Sequence, residues 1–200
     1  MSAAGSTERL PPSGTVRAAA RGELPPWAEA GPKRRAHIAR VAALMRAWAE
    51  ALGLPPGDVE RWSAAAWLHD ALRDADPDSL RPVVPEEFRG LPGKLLHGPA
   101  VAERLKGEAD EEVLTAVRCH TIGSRAFGAL GRALYLADFL EPGRDFEREW
   151  TESLRRRMPA EMDAVLREVV EARVGHVARN GGTVHPETRA FYEQVEAEAR

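Results

Sequence analysis

The sequence predicts an all-α fold, and two patterns indicate it. Apolar residues recur at three- and four-residue steps through most of the chain after residue 32, which is typical of helices with one buried face. The alternation of apolar and polar residues that marks a half-buried strand is essentially absent. The chain has 200 residues, 44% of them hydrophobic, and is therefore long enough to build a core. We expect one helical domain over residues 32–195.

Turn residues divide this domain into seven predicted helices, because glycine and proline end one helix and a capping residue or a proline begins the next. The expected ranges are 33–52, 58–74, 97–107, 110–120, 129–140, 159–179 and a short last helix that begins at Pro186. Asp58 is the expected N-cap of the second helix. The middle of that helix is apolar or small on nearly every side, which indicates a central position. Residues 76–92 contain four prolines and are expected to cross the surface with one short helical turn.

The first 31 residues differ from the rest in composition. They mix Ala, Gly, Ser and Pro with little periodicity, so we expect a loosely ordered arm outside the fold. No positive segment followed by an apolar one begins the chain, and no apolar run approaches the roughly 18 residues of a membrane span. The expected location is therefore the cytoplasm, without membrane binding.

Charge and cysteine content exclude several classes of function. The 28 Lys+Arg and 31 Asp+Glu residues give a net charge of −3, the wrong sign for general binding to nucleic acid or anionic lipid. A polyanionic partner therefore needs a local pocket. The single cysteine, Cys119, excludes an intrachain disulfide and a thiolate zinc cage. A metal ion, if bound, must be held by histidine and carboxylate.

Several ionisable residues stand where the core is expected. His69 and Asp70 lie side by side in the most buried predicted helix, where they cost several kcal/mol unless they are paired or coordinated. Asp138 lies inside the apolar run 133–140. His37 shares an inward-facing helical stripe with apolar residues. Each of these groups needs a compensating partner.

Two further histidines complete the set: His97 at a helix start and His120 at a helix end. A single histidine on an apolar face is more often a satisfied core residue than a ligand, and a buried aspartate is more often a cap or an ion-pair member. Here, however, four of the six histidines border the predicted core beside two unexplained aspartates. We therefore infer metal binding. Imidazoles with carboxylates suit Fe, Mn, Co, Ni or Zn, and six groups exceed the needs of one ion, so two ions are expected.

The order of these six residues resembles the metal-binding pattern of the dinuclear HD-domain phosphohydrolases. Within that superfamily, four segments look like the symmetrical bis(5′-nucleosyl)-tetraphosphatase branch. They are Leu68–Asp70, Leu95–Gly98, His120–Gly123 and Leu136–Arg144. The segment Val184–Thr188 is similar to the C-terminal segment of that branch, so the resemblance spans about residues 33–192.

Two positions depart from the pattern of the branch. Arg73 stands where it usually carries lysine, and Ala126 and Phe127 stand where its members are usually more polar. Arginine keeps the positive charge but changes its reach and geometry, so the reaction rate or the nucleotide preference could differ from that of the branch. No metal-ligand position is lost.

The resemblance implies an HD-domain helical bundle with a dinuclear centre, commonly of iron. By matching position, one ion takes His37, His69, Asp70 and Asp138. The other takes Asp70, His97 and His120, so Asp70 bridges the two ions. The implied reaction is the hydrolysis of diadenosine tetraphosphate to two ADP, by attack of a metal-bridging hydroxide on an internal phosphorus.

A substrate with four phosphates needs more positive charge than two ions provide. Arg73, Arg125 and Arg144 lie near inferred ligands in the sequence and are the expected phosphate contacts. The alternative for Arg125 and Arg144 is a solvated surface charge. Thr121 and Gly123 are expected to offer a hydroxyl group and a close backbone approach.

Asp70, Arg73 and Asp74 form the expected catalytic set. Asp74 either polarises a water molecule or a histidine behind the metal ligands, or it merely caps its helix. Two other functions stay open: an HD-family nucleotidase or nucleotide phosphodiesterase with another substrate, and a non-catalytic helical module that binds nucleotides or a partner protein. Product identity separates the first from the main prediction, and bound metal separates the second. A homodimer is also left open.

Overall fold

The computed structural model describes residues 13–198. Within that range the chain forms ten α-helices and two short 3-10 turns, and no strand. The helices are α1 Gly14–Ala20, α2 Pro32–Ala51, α3 Pro56–Leu68, α4 Pro77–Leu80, α5 His97–Arg104, α6 Glu111–Cys119, α7 Ala129–Leu140, α8 Arg148–Arg157, α9 Met162–Arg179 and α10 Pro186–Glu198. The predicted all-α class is confirmed. None of these helices combines the length and apolar composition that a bilayer crossing requires.

Helix α7 is the central element of the core. It contacts α2, α3, α6, α8 and α9. Nine of its twelve residues are buried, as its apolar sequence predicts. Asp138 is one of the nine. Helices α2, α3 and α6, which carry or lead into four of the other ionisable core residues, therefore pack around α7, and α5, which begins with His97, packs on α6.

Proline and glycine set most helix boundaries as expected, but α3 is shorter than predicted. It ends at Leu68, and residues 69–75 continue as turns with bonds such as Ala71 N–H to the Leu68 carbonyl at 3.0 Å. The sequence from residue 63 to residue 75 contains neither Gly nor Pro, so no breaker residue marks the end. Asp58 lies in the first turn of α3, and the N-cap is Pro55.

The N-terminal segment differs from the expected loosely ordered arm. Helix α1 is capped by Ser13, whose Oγ accepts a hydrogen bond from Val16 N–H at 3.2 Å, and its buried face packs on α3. Glu29 N–H donates to the Ala71 carbonyl at 2.7 Å. The packed body thus includes residues before 32, and periodicity missed them because seven residues make only two turns. Residues 1–12 lie outside the described part of the chain.

Helix α8 was also missed by the sequence analysis. Only Thr151 and Leu154 of its ten residues are buried. Two buried positions are too few to produce a recognisable apolar stripe. The surface crossing at residues 76–92 agrees with expectation, since it contains only α4 and a 3-10 turn at Glu86–Phe88.

Candidate metal centre

The six predicted metal ligands converge in the interior of the bundle. His37 comes from α2, His69 and Asp70 follow the end of α3, His97 begins α5, His120 caps the end of α6, and Asp138 lies in α7. None of the six is more than 7% exposed. Five chain segments therefore bring four imidazoles and two carboxylates together in a site shielded from water.

Asp70 lies at the centre of the cluster, with its two oxygens facing different histidines. Oδ1 is 2.9 Å from His97 Nε2 and 3.5 Å from His120 Nε2. Oδ2 is 3.5 Å from His37 Nε2 and 3.6 Å from His69 Nε2. The donor atoms thus form two triads with Asp70 in common, each within 4.8 Å. This is the arrangement that a bridging carboxylate needs.

Asp138 lies beside the first of these triads. Its Oδ1 is 3.2 Å from His37 Nε2. The sequence predicted Asp138 as a ligand of the same ion as His37, and the structure places the two side by side. The assignment of all six residues as ligands stays a prediction.

Hydrogen bonds fix the orientation of the histidine rings. Three rings place Nδ1 near the carbonyl oxygen of the residue three positions earlier: His69 at 2.6 Å, His97 at 3.0 Å and His120 at 2.8 Å. A carbonyl oxygen can only accept, so Nδ1 carries the hydrogen and Nε2 keeps a lone pair. All three Nε2 atoms point into the cluster. This outer support is typical of metal-ligating histidines.

The residues of the cluster fit transition-metal ions. The Nε2 atoms of His37 and His69 are buried and have no hydrogen-bond partner among residues 13–198. The Nε2 atoms of His97 and His120 are 3.1 Å apart, which brings two nitrogen lone pairs close together. Buried polar atoms left in this way are costly unless something satisfies them. Divalent cations that take N and O ligands would satisfy these atoms.

For His69, His97, Asp70 and Asp138 the protonation states favour metal binding as well. Burial lowers the pKa of His69 to about 4 and also lowers the pKa of His97, so both imidazoles are neutral at pH 7. Burial alone raises the pKa of Asp70 and Asp138, but the neighbouring histidines outweigh it, and both pKa values fall below the ordinary range. The contact with Asp138 raises the pKa of His37 against the effect of burial. Neutral imidazoles and ionised carboxylates are the ligand forms.

Glu141 supports His37 from behind, a role that the sequence analysis missed. It is 3% exposed, and its Oε1 lies 3.2 Å from His37 Nδ1. Its Oε2 accepts from Gly143 N–H at 2.7 Å and from Arg40. The available signal was its place in the Leu136–Arg144 element, three residues after Asp138.

Two arginines contact the carboxylates of the cluster. Arg34 Nη1 donates to Asp70 Oδ2 at 2.6 Å, and Arg144 Nη2 donates to Asp138 Oδ1 at 2.5 Å. Arg144 was expected near the site. Arg34 was missed, although it lies three residues before the inward-facing His37 and so shares its helix face.

A cavity of about 520 Å³ opens onto the cluster. Of the predicted substrate contacts, Arg73, Thr121 and Arg144 line it. Lys94 and Arg173 line it as well and were not predicted. Arg173 reaches the cavity by stacking over the Tyr135 ring at 4.5 Å and donating to the Thr121 carbonyl at 2.7 Å.

Three other predicted residues lie elsewhere. Arg125 is exposed and does not line the cavity, so it is a solvated charge here. Gly123 has φ +80°, and a Cβ atom there would overlap the Phe191 ring, so packing requires this glycine. Asp74 is 43% exposed, and its Oδ2 accepts from Gly31 N–H at 2.8 Å, which ties it to the segment before α2.

Comparisons with known proteins agree with this geometry. The family model described as the HD domain matches residues 34–145, a range that contains all six clustered residues. The symmetrical bis(5′-nucleosyl)-tetraphosphatase of Halalkalibacterium halodurans is 27% identical over 148 residues, which are 69% of this chain and 77% of the relative. The protein of the same name from Staphylococcus aureus is 32% identical over 120 residues, 56% of this chain and 60% of the relative.

A solved structure shows the same fold. The HD superfamily hydrolase from Clostridium acetobutylicum superposes with a TM-score of 0.74, at 24% identity, over 84% of this chain and 91% of that one. The family model spans more than half of the chain and includes the whole cluster, and the resemblance predicted from the sequence is confirmed. The chain belongs to the HD-domain family.

Proposed function

We propose that this protein hydrolyses diadenosine tetraphosphate symmetrically, to two ADP. One observation carries the proposal: two triads of buried donor atoms share Asp70 and face a cavity lined by cationic side chains. The curated relatives that bear the name symmetrical bis(5′-nucleosyl)-tetraphosphatase support the choice of substrate.

Four histidines and two aspartates would hold the metal ions: His37, His69, Asp70, His97, His120 and Asp138. When bound, two divalent ions supply a water molecule that ionises near neutral pH and positive charge for the phosphoryl oxygens. The donor set suits iron and equally Mn, Co, Ni or Zn. Iron, a count of two ions and the bridging hydroxide stay predictions.

The side chains of the cavity position the phosphates. Arg34, Arg73 and Arg144 present guanidinium groups, which bind phosphate oxygens in pairs. Thr121 adds a hydroxyl group, and its buried Oγ1 has no hydrogen-bond partner within the described range. We assign Oγ1–H as a donor to a phosphate oxygen. Burial around the ligand cluster keeps competing water away and strengthens each of these contacts.

Asp74 has a different role in this proposal. Its bond to Gly31 N–H and its 3.7 Å approach to Arg34 Nε place it behind the arginine rather than at the reacting atoms. We therefore assign Asp74 to the positioning of Arg34 and of the segment before α2, and not to catalysis.

The test combines metal analysis with product identification. Protein purified without chelator is subjected to elemental analysis and then incubated with diadenosine tetraphosphate. We expect about two transition-metal ions per chain and ADP as the sole nucleotide product. AMP with ATP contradicts symmetrical cleavage, and turnover of another nucleotide in its place favours the nucleotidase alternative. Less than about one ion per chain, without turnover, favours a non-catalytic module.

A further inference from the structure

A second cavity adjoins the first on the other side of Arg34 and Arg144. Its volume is about 540 Å³, and its lining includes Lys33, His37 and Arg40. Arg34 and Arg144 line both cavities. Each volume falls within the roughly 300–1,000 Å³ of small-molecule sites. The two arginines therefore form a boundary between two neighbouring spaces of similar size.

The ligand cluster opens onto both cavities. Asp70, His97, His120 and Asp138 line the first, and His37 lines the second. The two boundary arginines bond to Asp70 and Asp138. A chain of phosphates that crosses this boundary passes beside the cluster at its midpoint, with one end in each cavity.

Each cavity carries a lysine without a carboxylate partner among residues 13–198: Lys94 in the first and Lys33 in the second. The third lysine of the chain, Lys106, is paired with Glu103 at 2.6 Å. In the second cavity Glu141 pairs with Arg40 and Asp74 faces Arg34 and Gly31 N–H, so Lys33 supplies the positive charge that no carboxylate pairs with there. Both ends of the double cavity can thus attract a phosphate.

We propose that the two cavities bind the two nucleoside diphosphate halves of one substrate. The inference rests on the proposed function and names the contacts for each half: Lys94, Arg73 and Arg173 for one, and Lys33 for the other. The central P–O–P bridge lies between Arg34 and Arg144. Hydrolysis forms a bond from the water oxygen to one inner phosphorus and breaks the bond from that phosphorus to the central oxygen. The leaving half departs as one nucleoside diphosphate, the half that gained the water oxygen is the second, and both protons of the water molecule are released as the two new terminal phosphates ionise.

The first test uses ADP as the probe on protein purified with its metals. Calorimetric titration is expected to give two ADP bound per chain. Acetylation of lysines followed by mass spectrometry is expected to show that saturating ADP protects Lys33 and Lys94 but not Lys106. One ADP per chain, or an unprotected Lys33, overturns the proposal.

The second test uses variants with diadenosine tetraphosphate. Lys33→Gln and Lys94→Gln are each expected to raise KM about tenfold with little change in kcat, because each removes one charged contact that is the same in ground and transition states. Lys106→Gln is the matched control. Metal content in all three should equal that of the parent protein. An unchanged KM for Lys33→Gln contradicts the proposal.

The results separate the two hypotheses. If the parent protein does not convert diadenosine tetraphosphate to ADP, the proposed function fails. If it makes ADP alone but ADP protects only Lys94, the function stands and the two-cavity inference fails.

Discussion

Two clusters of ionisable side chains are built around buried groups, and they satisfy those groups in opposite ways: the Arg61 cluster surrounds one buried arginine with half-buried carboxylates, whereas the candidate metal cluster is buried throughout. In the Arg61 cluster (Asp58, Arg61, Asp110 and Glu112), every guanidinium nitrogen has a carboxylate partner. Arg61 Nε and Nη2 hold Asp110 at 2.7 Å each, Nη1 holds Asp58 at 2.8 Å, and Nη2 also holds Glu112 at 2.7 Å. The cluster is complete within the chain.

The metal-ligand cluster is incomplete within the described chain. The Nε2 atoms of His37 and His69 lack a hydrogen-bond partner there, and the Nε2 atoms of His97 and His120 face each other. The comparison shows that burial of charge alone does not indicate function. A buried ionisable group whose partners all belong to the chain stabilises or orders the fold. Buried lone pairs that have no partner in the chain instead indicate a bound ligand.

The largest effect is expected from a single substitution that disrupts both triads of donor atoms. Asp70→Ala removes the only residue that the two triads share, so bound metal and turnover should disappear together while the helices remain. Elemental analysis, activity and circular dichroism measure this. Asp78→Ala, an exposed aspartate of α4, is the control. Turnover that survives in Asp70→Ala contradicts the bridging role.

A substitution in the Arg61 cluster should instead lower the stability of the fold and leave metal binding unchanged. Arg61→Met leaves the half-buried carboxylates of Asp58 and Asp110 without their shared cation and should lower the free energy of unfolding, by less than the roughly 3–5 kcal/mol of a fully buried pair because these carboxylates are partly solvated. Metal content per folded chain should stay unchanged. Denaturant unfolding measures the stability, and elemental analysis measures the metal content. Arg156→Met, which removes an exposed ion pair with Glu152, should change stability little. Metal loss in Arg61→Met would show that the two clusters are coupled.

A smaller effect on metal binding is expected from Glu141, which lies behind the candidate ligand His37. Glu141→Gln keeps the size of the side chain but removes the charge that orients His37, so metal affinity should fall about 10- to 100-fold. Metal titration of protein stripped of its ions measures the change. Glu149→Gln, on an exposed position of α8, is the control. Equal affinities would mean that Glu141 only anchors Arg40 and Gly143.

The smallest effect is a pH dependence of stability from the Arg61 cluster. Burial raises the pKa of Asp110, but hydrogen bonds from Arg61 and from Val113 N–H outweigh it and hold the pKa below its ordinary 3.8. A carboxyl group with a depressed folded-state pKa stabilises the fold above about pH 4, and this contribution is lost as pH falls through the folded-state pKa. Unfolding measured from pH 6 to pH 3 should show a shallower decline for Asp110→Asn. Parallel curves would contradict the assignment.

Much of the fold could be predicted because its signals are local. The apolar stripe of α2 and the apolar run of α7 are read within one helix, and Pro186 marks the start of α10 as expected. The end of α3 and the packing of α1 could not be read in this way. Both depend on contacts with distant segments, such as the bond between Glu29 and Ala71.

In the candidate site, too, some residues could be predicted from local sequence and others could not. The six candidate ligands could be named because an ionisable residue within or beside an apolar helix is conspicuous in a sequence. Arg125 was predicted as a phosphate contact from its closeness to His120 along the chain, but it points to solvent. Closeness in sequence does not fix the direction of a side chain after a turn, and the turn that begins at His120 sends Arg125 outward.

The sequence by itself determined the helical class, the family and the identity of the buried donors, because helix periodicity and misplaced charge are properties of short segments. Only the tertiary structure decided that Asp70 faces two triads, that Glu141 stands behind His37 and that Arg34 divides two cavities. Arg34 lies 36 residues from Asp70 along the chain, and His37 lies 104 residues from Glu141. No short-range preference acts over such separations, and the packing of α2, α3 and α7 brings them together.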